Sequence, residues 1–493
     1  YDMGLKVTSD IPISVYALNK RQFSADAAVI LPTTALGKEY FVTAHAEPNF
    51  DIVDNARESE LLIVAVQDDT EVEITPSVRT ASGKLPNNPF TVTLNAGETY
   101  LIKSALRTED LSGTYVRSVS TNSDDCKNIA VFGGNVFTNV GGCGDARDHL
   151  LEQMFPISTW GKSFLYVPYE TRLGGDYVKI IASEDNTVVN ISGNSSINLD
   201  RGEVHKIKAL NGVRSVESNK PISFAQFSRS QQCDGVPSDP FFILVSPLEQ
   251  RIREVTFNAF SVDQIDRYYL TMITEAGATA EVFLDNVNVG SEFTTFGNTA
   301  YTSIEISQGN HTIKAPEGVI AFVYGYGNVE SFGYSAGVAL ENLNLQIEGD
   351  DEYISIIDQQ ACLDANIEFS LNFTLEPGEV SPYNTFEWDF GDGTTDNGEV
   401  VNHTYEAPGF YNVILTASDG QGSCGNSETV VKTIEVQETE VGQVTGPLSV
   451  CPDVDGIEYT VSGGVGNSYQ WFIEGGEFDG SSSGESVLVN WGA

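Results

Sequence analysis

Short runs that alternate hydrophobic and polar residues recur along the whole chain, and glycine, asparagine or aspartate separates them. The runs are rich in valine, isoleucine, threonine, tyrosine and phenylalanine, which favour β-strands. The apolar spacing of an amphipathic helix is almost absent. The pattern therefore predicts an all-β protein.

The runs follow one another in an order that occurs three times. A predicted hairpin comes first in each copy, at residues 61–77, 177–193 and 268–286. Two strands joined at a glycine come next, at 92–106, 197–210 and 304–316, and a closing run ends the copy, at 127–135, 220–228 and 317–327. Each copy has about one hundred residues and seven or eight strands, the size of a β-domain. Tandem β-sandwiches and a β-propeller with two blades per copy both fit, and we favour the sandwiches.

The first run of the chain, IPISVYALN at 11–19, has the form of a closing run without the rest of its copy. We therefore expect the natural protein to extend upstream of Tyr1 with at least part of a further copy. The last run ends at Ala493 on a strand, so we also expect the chain to continue there.

Charge narrows the classes of partner. The 493 residues include 69 acidic and 26 basic side chains, a net charge of −43. Such a surface repels nucleic acid and anionic membranes, and no apolar run is long enough to span a bilayer. From Asp350 to Ala493 there are 26 acidic residues and one lysine, Lys432. We interpret this as a solvated acidic surface rather than calcium sites, because the fragment at 453–456 is not a complete calcium loop. We expect no cofactor, with Ca²⁺ as the alternative.

The six cysteines are widely spaced, and none forms a CxxC pair or has histidines at zinc spacing. Such cysteines suit occasional disulfides in an exported protein. We predict a Cys126–Cys143 disulfide, whose short loop would contribute about 3 kcal/mol to stability.

The segment from Cys143 to Pro168 concentrates polar residues, namely Asp148, His149, Glu152 and Gln153. One histidine beside carboxylates is a weak metal signal. The triplet Leu151-Glu152-Gln153 recurs as Leu248-Glu249-Gln250, where no histidine accompanies it. We therefore predict that Glu152, Gln153, Glu249 and Gln250 are structural, buried and bonded to backbone groups at a strand exit. Trp160 is predicted to anchor the core.

Several of these motifs together resemble the IgGFc-binding protein N-terminal domain, namely SDIPISVYALN, LPTTALGKEYFV, KNIAVFGGN, DHLLEQMFPISTWGKSFLYVP and DPFFILVSPLEQ. The resemblance covers about Tyr1 to Leu345, and we assign 1–347 to this region. It implies secreted or surface proteins without catalytic residues. The family name implies binding to antibody Fc, which the fold alone does not carry.

The stretch FEWDFGDGTTDNG at 386–398, followed by VNHTYEAPGFYNVILTASDG at 401–420, resembles a PKD repeat, and we assign 350–437 to this Ig-like sandwich. The resemblance implies that Trp388 fills the core and that Gly391-Asp392-Gly393, with Asp389 before it, forms a tight turn. A Cys362–Cys424 disulfide is also expected. Residues 441–493 resemble an incomplete PKD-like module of Bacteroidetes surface proteins.

No nucleophile elbow, P-loop, dinucleotide fingerprint or HExxH motif occurs in the sequence. We therefore predict a non-catalytic extracellular or cell-surface protein, part of a large adhesin or stalk exported by a Bacteroidetes-type route such as type IX secretion. Its partners would be an extracellular protein or glycan, or neighbouring copies in a surface assembly. The alternative is the accessory binding region of a secreted enzyme whose catalytic domain lies outside this chain.

Overall fold

A computed structural model of the chain describes residues 4–11, 13–47, 57–120, 127–340, 345–351, 360–373, 383–418, 427–437, 443–447, 449–451, 454–462 and 469–492. Strands dominate these residues. The helices described are single 3-10 turns, at Thr33–Ala35, Ile157–Thr159, Gln231–Cys233, Thr279–Glu281 and Gly290–Glu292. The prediction of an all-β protein is confirmed. No helix in the described ranges is long and apolar enough to cross a membrane.

The strands before residue 347 make up most of the larger of two compact units. It opens with a two-stranded hairpin of β1 and β2, and three sandwiches follow. The hairpin strands and those of the first sandwich are β1 (Val15–Arg21), β2 (Ser24–Ile30), β3 (Glu39–Phe41), β4 (Ser59–Ala65), β5 (Thr70–Thr75), β6 (Phe90–Leu94), β7 (Thr99–Lys103), β8 (Tyr115–Ser118), β9 (Ile129–Thr138) and β10 (Asp148–Gln153).

The first sandwich has two antiparallel four-stranded sheets, in the orders β10-β9-β4-β7 and β3-β8-β5-β6. The predicted hairpin of 61–77 is therefore wrong as a paired hairpin. Its two strands, β4 and β5, belong to opposite sheets, and the polar turn carries the chain across the core. Alternate residues of both strands, such as Leu61, Ile63, Val72 and Ile74, are buried between the sheets, and this burial outweighs local pairing.

The predicted hairpins of 177–193 and 268–286 are also wrong as paired hairpins, because the two strands of each pair with a third strand and not with each other. The second and third sandwiches repeat the topology of the first. Their strands are β11 (Gly161–Tyr166), β12 (Asp176–Ala182), β13 (Thr187–Ile191), β14 (Ile197–Leu199), β15 (Val204–Leu210), β16 (Arg214–Phe227) and β17 (Phe242–Leu244), then β18 (Ile252–Ala259), β19 (Ile265–Glu275), β20 (Phe283–Leu284), β21 (Val287–Asn288), β22 (Thr294–Phe296), β23 (Thr299–Glu305), β24 (Gly309–Gly327) and β25 (Glu330–Gly337).

In each of these two sandwiches, one long strand takes the positions that β8 and β9 hold in the first sandwich. The first part of β16 pairs with β11 and β13, and its second part pairs with β12 and β17. The first part of β24 pairs with β18 and β20, and its second part with β19 and β25. Pro221 and Gly318 lie where the strands change sheets, and Gly318 has a φ of 75°. The three-copy prediction is thus confirmed as sandwiches, and the described sheets do not close into a propeller.

The strand that follows each closing run lies at a common junction. There β2 packs against β10 and β25, and β17 packs against the same two strands. We call β2, β10, β17 and β25 the closing strands. The β1–β2 hairpin forms a separate two-stranded sheet, whereas β9 and β10 belong to a sheet of the first sandwich. The expectation of a further copy upstream concerns residues outside this sequence and stays a prediction.

The smaller unit comprises residues 348–370, 388–414 and 432–493, and the C-terminal strands lie partly in it and partly in the larger unit. They are β26 (Leu345–Asp351), β27 (Gln360–Cys362), β28 (Ile367–Phe373), β29 (Thr385–Asp389), β30 (Thr395–Asn397), β31 (Val400–His403), β32 (Gly409–Ser418), β33 (Ser427–Gln437), β34 (Gln443–Thr445), β35 (Val454–Ser462), β36 (Gly476–Phe478) and β37 (Ser486–Trp491). They form sheets in the orders β26-β28-β31, β27-β33-β32-β29-β30 and β34-β35-β37-β36. The first two sheets cover the predicted PKD domain.

Candidate functional site at the junction of the closing strands

The polar segment after Cys143 forms β10 and so lies at the junction. Asp148 is fully buried, and its Oδ1 accepts hydrogen bonds from Ser24 Oγ at 2.6 Å and His149 N at 2.7 Å. The His149 ring contacts Asn19 Nδ2 through Nε2 at 3.0 Å, and burial lowers the pKa of His149. No group of three or more histidine, cysteine, aspartate or glutamate side chains in the described ranges could hold a metal.

Glu152 is fully buried, and neither of its carboxyl oxygens has a hydrogen bond of normal geometry. Burial raises the pKa of this carboxyl well above its usual range, Asp26 raises it further, and the Leu244 backbone offsets only part of the rise. Asp26, on β2, is also fully buried and accepts from Ala27 N and Leu151 N at 2.9 Å each. The two carboxyls therefore lie buried at the same junction.

Gln153 and Gln250 both bond backbone groups, but their glutamate neighbours differ. Gln153 Oε1 accepts from Leu31 N at 2.9 Å, and Gln250 Nε2 donates to Thr159 O at 3.3 Å. Glu249 is exposed, and its Oε1 accepts from Lys162 N at 2.9 Å and Ser163 N at 3.1 Å. The expectation that Glu152 and Glu249 are both buried and bonded is wrong.

The reason is that the two Leu-Glu-Gln triplets are not equivalent in the fold. The first triplet lies on β10, whereas the second forms a turn. The equivalent residues are Pro32, Pro156 and Pro247, whose carbonyls each accept from the amide three residues later at 2.9–3.0 Å. Pro156 packs on Gly37, and Pro247 packs on Gly161, so the same kind of contact joins successive sandwiches.

Trp160 is buried beside these turns. Its indole N–H donates to Phe155 O at 3.1 Å, and its ring centroid lies 6.2 Å from that of Phe41 on the first sandwich. The side chain thus packs in the core between the first and second sandwiches, and no polar group of a ligand site surrounds it.

A disulfide joins Cys143 to Cys233, with a Cα–Cα distance of 5.2 Å and a sequence separation of 90. The predicted Cys126–Cys143 disulfide is therefore wrong, because Cys143 already has its partner. Cys126 itself and Cys424 lie outside the described residues, so the Cys362–Cys424 pairing stays a prediction. The observed bond links the loop after β9 to the loop after β16, and spacing along the chain gives no indication of such a pairing.

A buried ion pair between the first two sandwiches escaped sequence analysis. Lys179 on β12 is fully buried, and its Nζ lies 2.7 Å from Asp110 Oδ2 and 3.0 Å from Ser112 Oγ. Lys206 Nζ lies 2.7 Å from the same carboxyl oxygen. Burial would raise the pKa of Asp110, but the two lysines hold it far below its usual range, while burial lowers the pKa of Lys179 to about 8. The one available signal was a lysine inside the apolar run YVKIIA.

In the PKD region, Trp388 is buried, and its indole N–H donates to Gly398 O at 2.8 Å. Gly391 and Gly393 have φ values of 80° and 94°. The Asp389 carboxylate accepts from Gly391 N at 2.9 Å, which fixes the turn.

The next carboxylate of this turn, Asp392, is tied to two neighbours. It accepts from Thr394 N at 2.9 Å and lies 2.8 Å from His403 Nε2. Partial burial would raise the pKa of Asp392, but hydrogen bonds from Thr394 and His403 hold it below its usual range. These bonds occupy the carboxylate within the turn itself.

The fold and these contacts define an all-β protein of serial sandwiches in which buried polar residues join one unit to the next. The chain belongs to the IgGFc-binding protein family, whose family model matches residues 26–325, more than half of the sequence. A PKD domain model matches residues 353–434. Neither family is catalytic.

The chain is similar to short parts of two long curated proteins. The human IgGFc-binding protein is 26% identical over 253 residues, which are 50% of this chain and 4% of the human protein. Collagenase ColA of Clostridium perfringens is 28% identical over 98 residues, 20% of this chain and 9% of the collagenase. The chain thus spans less than a tenth of either relative's length.

Solved structures that resemble the chain are immunoglobulin-type ectodomains. The mouse nectin-like molecule 4 ectodomain has 14% identity and a TM-score of 0.14, covering 48% of this chain and 83% of that structure. The N-terminal four Ig domains of a Dscam1 isoform have 10% identity and a TM-score of 0.14, covering 81% of this chain and 99% of that structure. Scores this low carry no argument about function.

Proposed function

We propose that the chain is a non-catalytic extracellular or cell-surface binding region of a large multidomain adhesin or stalk. The observation that carries this proposal is the serial arrangement of sandwiches, locked by buried contacts and an inter-unit disulfide, in a member of the IgGFc-binding family. A disulfide suits an oxidising location outside the cytoplasm. Export by a Bacteroidetes-type route, such as type IX secretion, is part of the proposal.

The ligand is proposed to be an extracellular glycoprotein or its glycan, and the candidate surface is a groove on the second sandwich. The groove lies between the turn at 193–196 and β15, and it presents His205, Lys206 and Lys208 beside serine and asparagine side chains. On a chain with net charge −43, such a basic, hydroxyl-rich surface favours an acidic saccharide or acidic protein segment.

The test is biolayer interferometry of the purified chain against three immobilised probes: an IgG Fc fragment, a sialylated mucin and the same mucin after sialidase. We expect saturable binding to the mucin that Lys208→Glu weakens at least tenfold. Lys220→Glu, which changes the same charge beside Glu184 outside the groove, should leave binding unchanged. Absence of binding to all three probes, or hydrolysis of a probe, would contradict the proposal.

A second candidate is the accessory binding region of a secreted enzyme, and the match to a bacterial collagenase favours it. In this case the chain would hold an enzyme on its insoluble substrate. Co-sedimentation with collagen fibrils distinguishes the two candidates, because a mucin-binding adhesin should remain in the supernatant.

A further inference from the structure

Carboxyl side chains from every part of the junction are buried together. They come from β2, from β10, from the residue three positions before β17, and from β25. These residues are Asp26, Asp148, Glu152, Asp239 and Glu330, each no more than 3% exposed. They include no residue of the proposed ligand groove.

Hydrogen bonds tie some of these carboxyls to the neighbouring closing strand. Asp26 Oδ2 accepts from Leu151 N on β10 at 2.9 Å, and Asp148 Oδ1 accepts from Ser24 Oγ on β2 at 2.6 Å. The backbone oxygen of Asp239 accepts a hydrogen bond from Ser331 Oγ on β25 at 2.6 Å. The carboxyls thus lie where the chain segments of different units meet.

Several of these carboxyl oxygens lack a hydrogen bond of normal geometry. They are Asp148 Oδ2, both oxygens of Glu152, Asp239 Oδ1 and Glu330 Oε2. Most of the charge effects on these carboxyls come from other members of the cluster. Asp26 raises the pKa of Glu152, Asp239 and Asp26 raise that of Asp148, and Glu330 raises that of Asp239. Outside the cluster, Lys20 lowers the pKa of Glu330 and Asp263 raises it, and Asp26 raises the pKa of Tyr169.

Ionised carboxylates buried in this way would lose their hydration and repel one another. Each carboxyl is therefore favoured in its neutral form, which donates one hydrogen bond and carries no charge. Burial and the neighbouring Glu330 together raise the pKa of Asp239 to about 7, and burial also raises the pKa of Asp26, Asp148, Glu152 and Glu330.

We propose that the junction is a proton-operated latch, in which these carboxyls hold the closing strands together when protonated and loosen them when ionised. The sign follows from linkage, since carboxyls that bind protons more tightly in the folded state stabilise it most at low pH. That stabilisation is complete below the ordinary carboxyl range near pH 4 and falls as pH rises through the raised pKa values, of which that of Asp239 is about 7. The sandwich array would therefore be tightest in weakly acidic surroundings.

The test is the thermal midpoint of the full chain from pH 4.5 to 8.5 in 0.5 M NaCl, which screens repulsion between surface charges. We expect the midpoint of the wild type to fall by about 5 °C or more between pH 5 and pH 8. Glu152→Gln and Asp239→Asn, which keep the shape without the titrating proton, should each make the profile flatter. Glu249→Gln removes an exposed carboxylate outside the cluster and should leave the slope unchanged.

A wild-type midpoint that is flat or rises with pH would overturn the latch, as would variant profiles parallel to the wild type. If Glu152→Gln fails to fold, Asp239→Asn decides alone. The thermal midpoint at pH 8 is also measured with 5 mM calcium. If calcium raises the midpoint of the wild type and Glu152→Gln abolishes that rise, the junction binds a cation and the proton-operated latch is wrong. Hydrogen exchange of β2 and β25 amides, corrected for intrinsic rates, should show faster local opening at pH 8 than at pH 5.5.

Discussion

At the residue scale, the contact between Lys179 and Asp110 shows how strongly one buried pair constrains an interface. Replacing Lys179 by methionine keeps the volume but leaves the Asp110 carboxylate with the partly exposed Lys206 and the Ser112 amide and hydroxyl as partners. We expect a loss of about 3 kcal/mol in the free energy of unfolding, measured by urea denaturation. Lys206→Met should cost under about 1 kcal/mol, because an exposed pair is weak. The double variant Lys179→Met with Asp110→Leu should recover most of the loss.

Gly161 illustrates a second constraint at this scale. A methyl group on its Cα would overlap the Pro247 ring and the Glu249 carboxylate. Gly161→Ala should therefore lower the unfolding free energy by about 2 kcal/mol, since overpacking forces the two units apart. Gly277→Ala is the matched control, because open space surrounds that position, and its unfolding curve should nearly coincide with that of the wild type. Equal effects in the two variants would refute the steric explanation.

At the element scale, the Cys143–Cys233 disulfide ties two loops that also share a backbone hydrogen bond, from Ser230 N to Val140 O at 3.0 Å. Closing a loop of this length restricts the unfolded chain, and removal should cost about 4 kcal/mol. Calorimetry of the Cys143→Ser, Cys233→Ser variant should show a lower midpoint, and intact-mass analysis should give one disulfide fewer than in the wild type. Cys451→Ser changes an exposed cysteine without a disulfide and should have no effect.

Strand alternation and its threefold recurrence were enough to predict the number, order and approximate limits of the sandwiches. They could not show that β4 and β5 belong to different sheets, because a polar turn between two strands reads the same in a hairpin and in a crossing between sheets. The Glu-Gln match was misleading for a related reason. When the copies are aligned on the equivalent turns at Pro156 and Pro247, the two Leu-Glu-Gln triplets lie six residues apart. Their identical sequences therefore do not mark equivalent positions in the fold.

The junction was only partly predictable. Glu152 and Gln153 were singled out because they stand together in an apolar stretch. Asp26 and Glu330 were not, although an aspartate within SADAAVI at a strand position was a usable signal. Asp239 could not be recognised from its neighbours, because its burial depends on β25, nearly one hundred residues later in the chain.

At the scale of the whole molecule, charge opposes compactness. A net charge of −43 on 493 residues creates repulsion that added salt screens. We expect the thermal midpoint at pH 7.5 to rise by several degrees between 10 and 300 mM NaCl, measured by differential scanning fluorimetry. Potassium chloride should act equally at the same ionic strength. A midpoint that falls with salt would mean that attractive surface pairs outweigh the repulsion.

The N-terminal hairpin has a consequence for the order in which the molecule is made. Tyr16 Oη donates to Ala336 O at 2.5 Å, across 320 positions of the chain. At a synthesis rate of about 10 residues per second, the hairpin waits roughly half a minute for its final neighbour. During that time its strands are open to pairing with other nascent chains, and the lysine and arginine at the end of β1 act against such pairing. The β1–β2 hairpin therefore reaches its native surroundings only after the last strand of the third sandwich has been made.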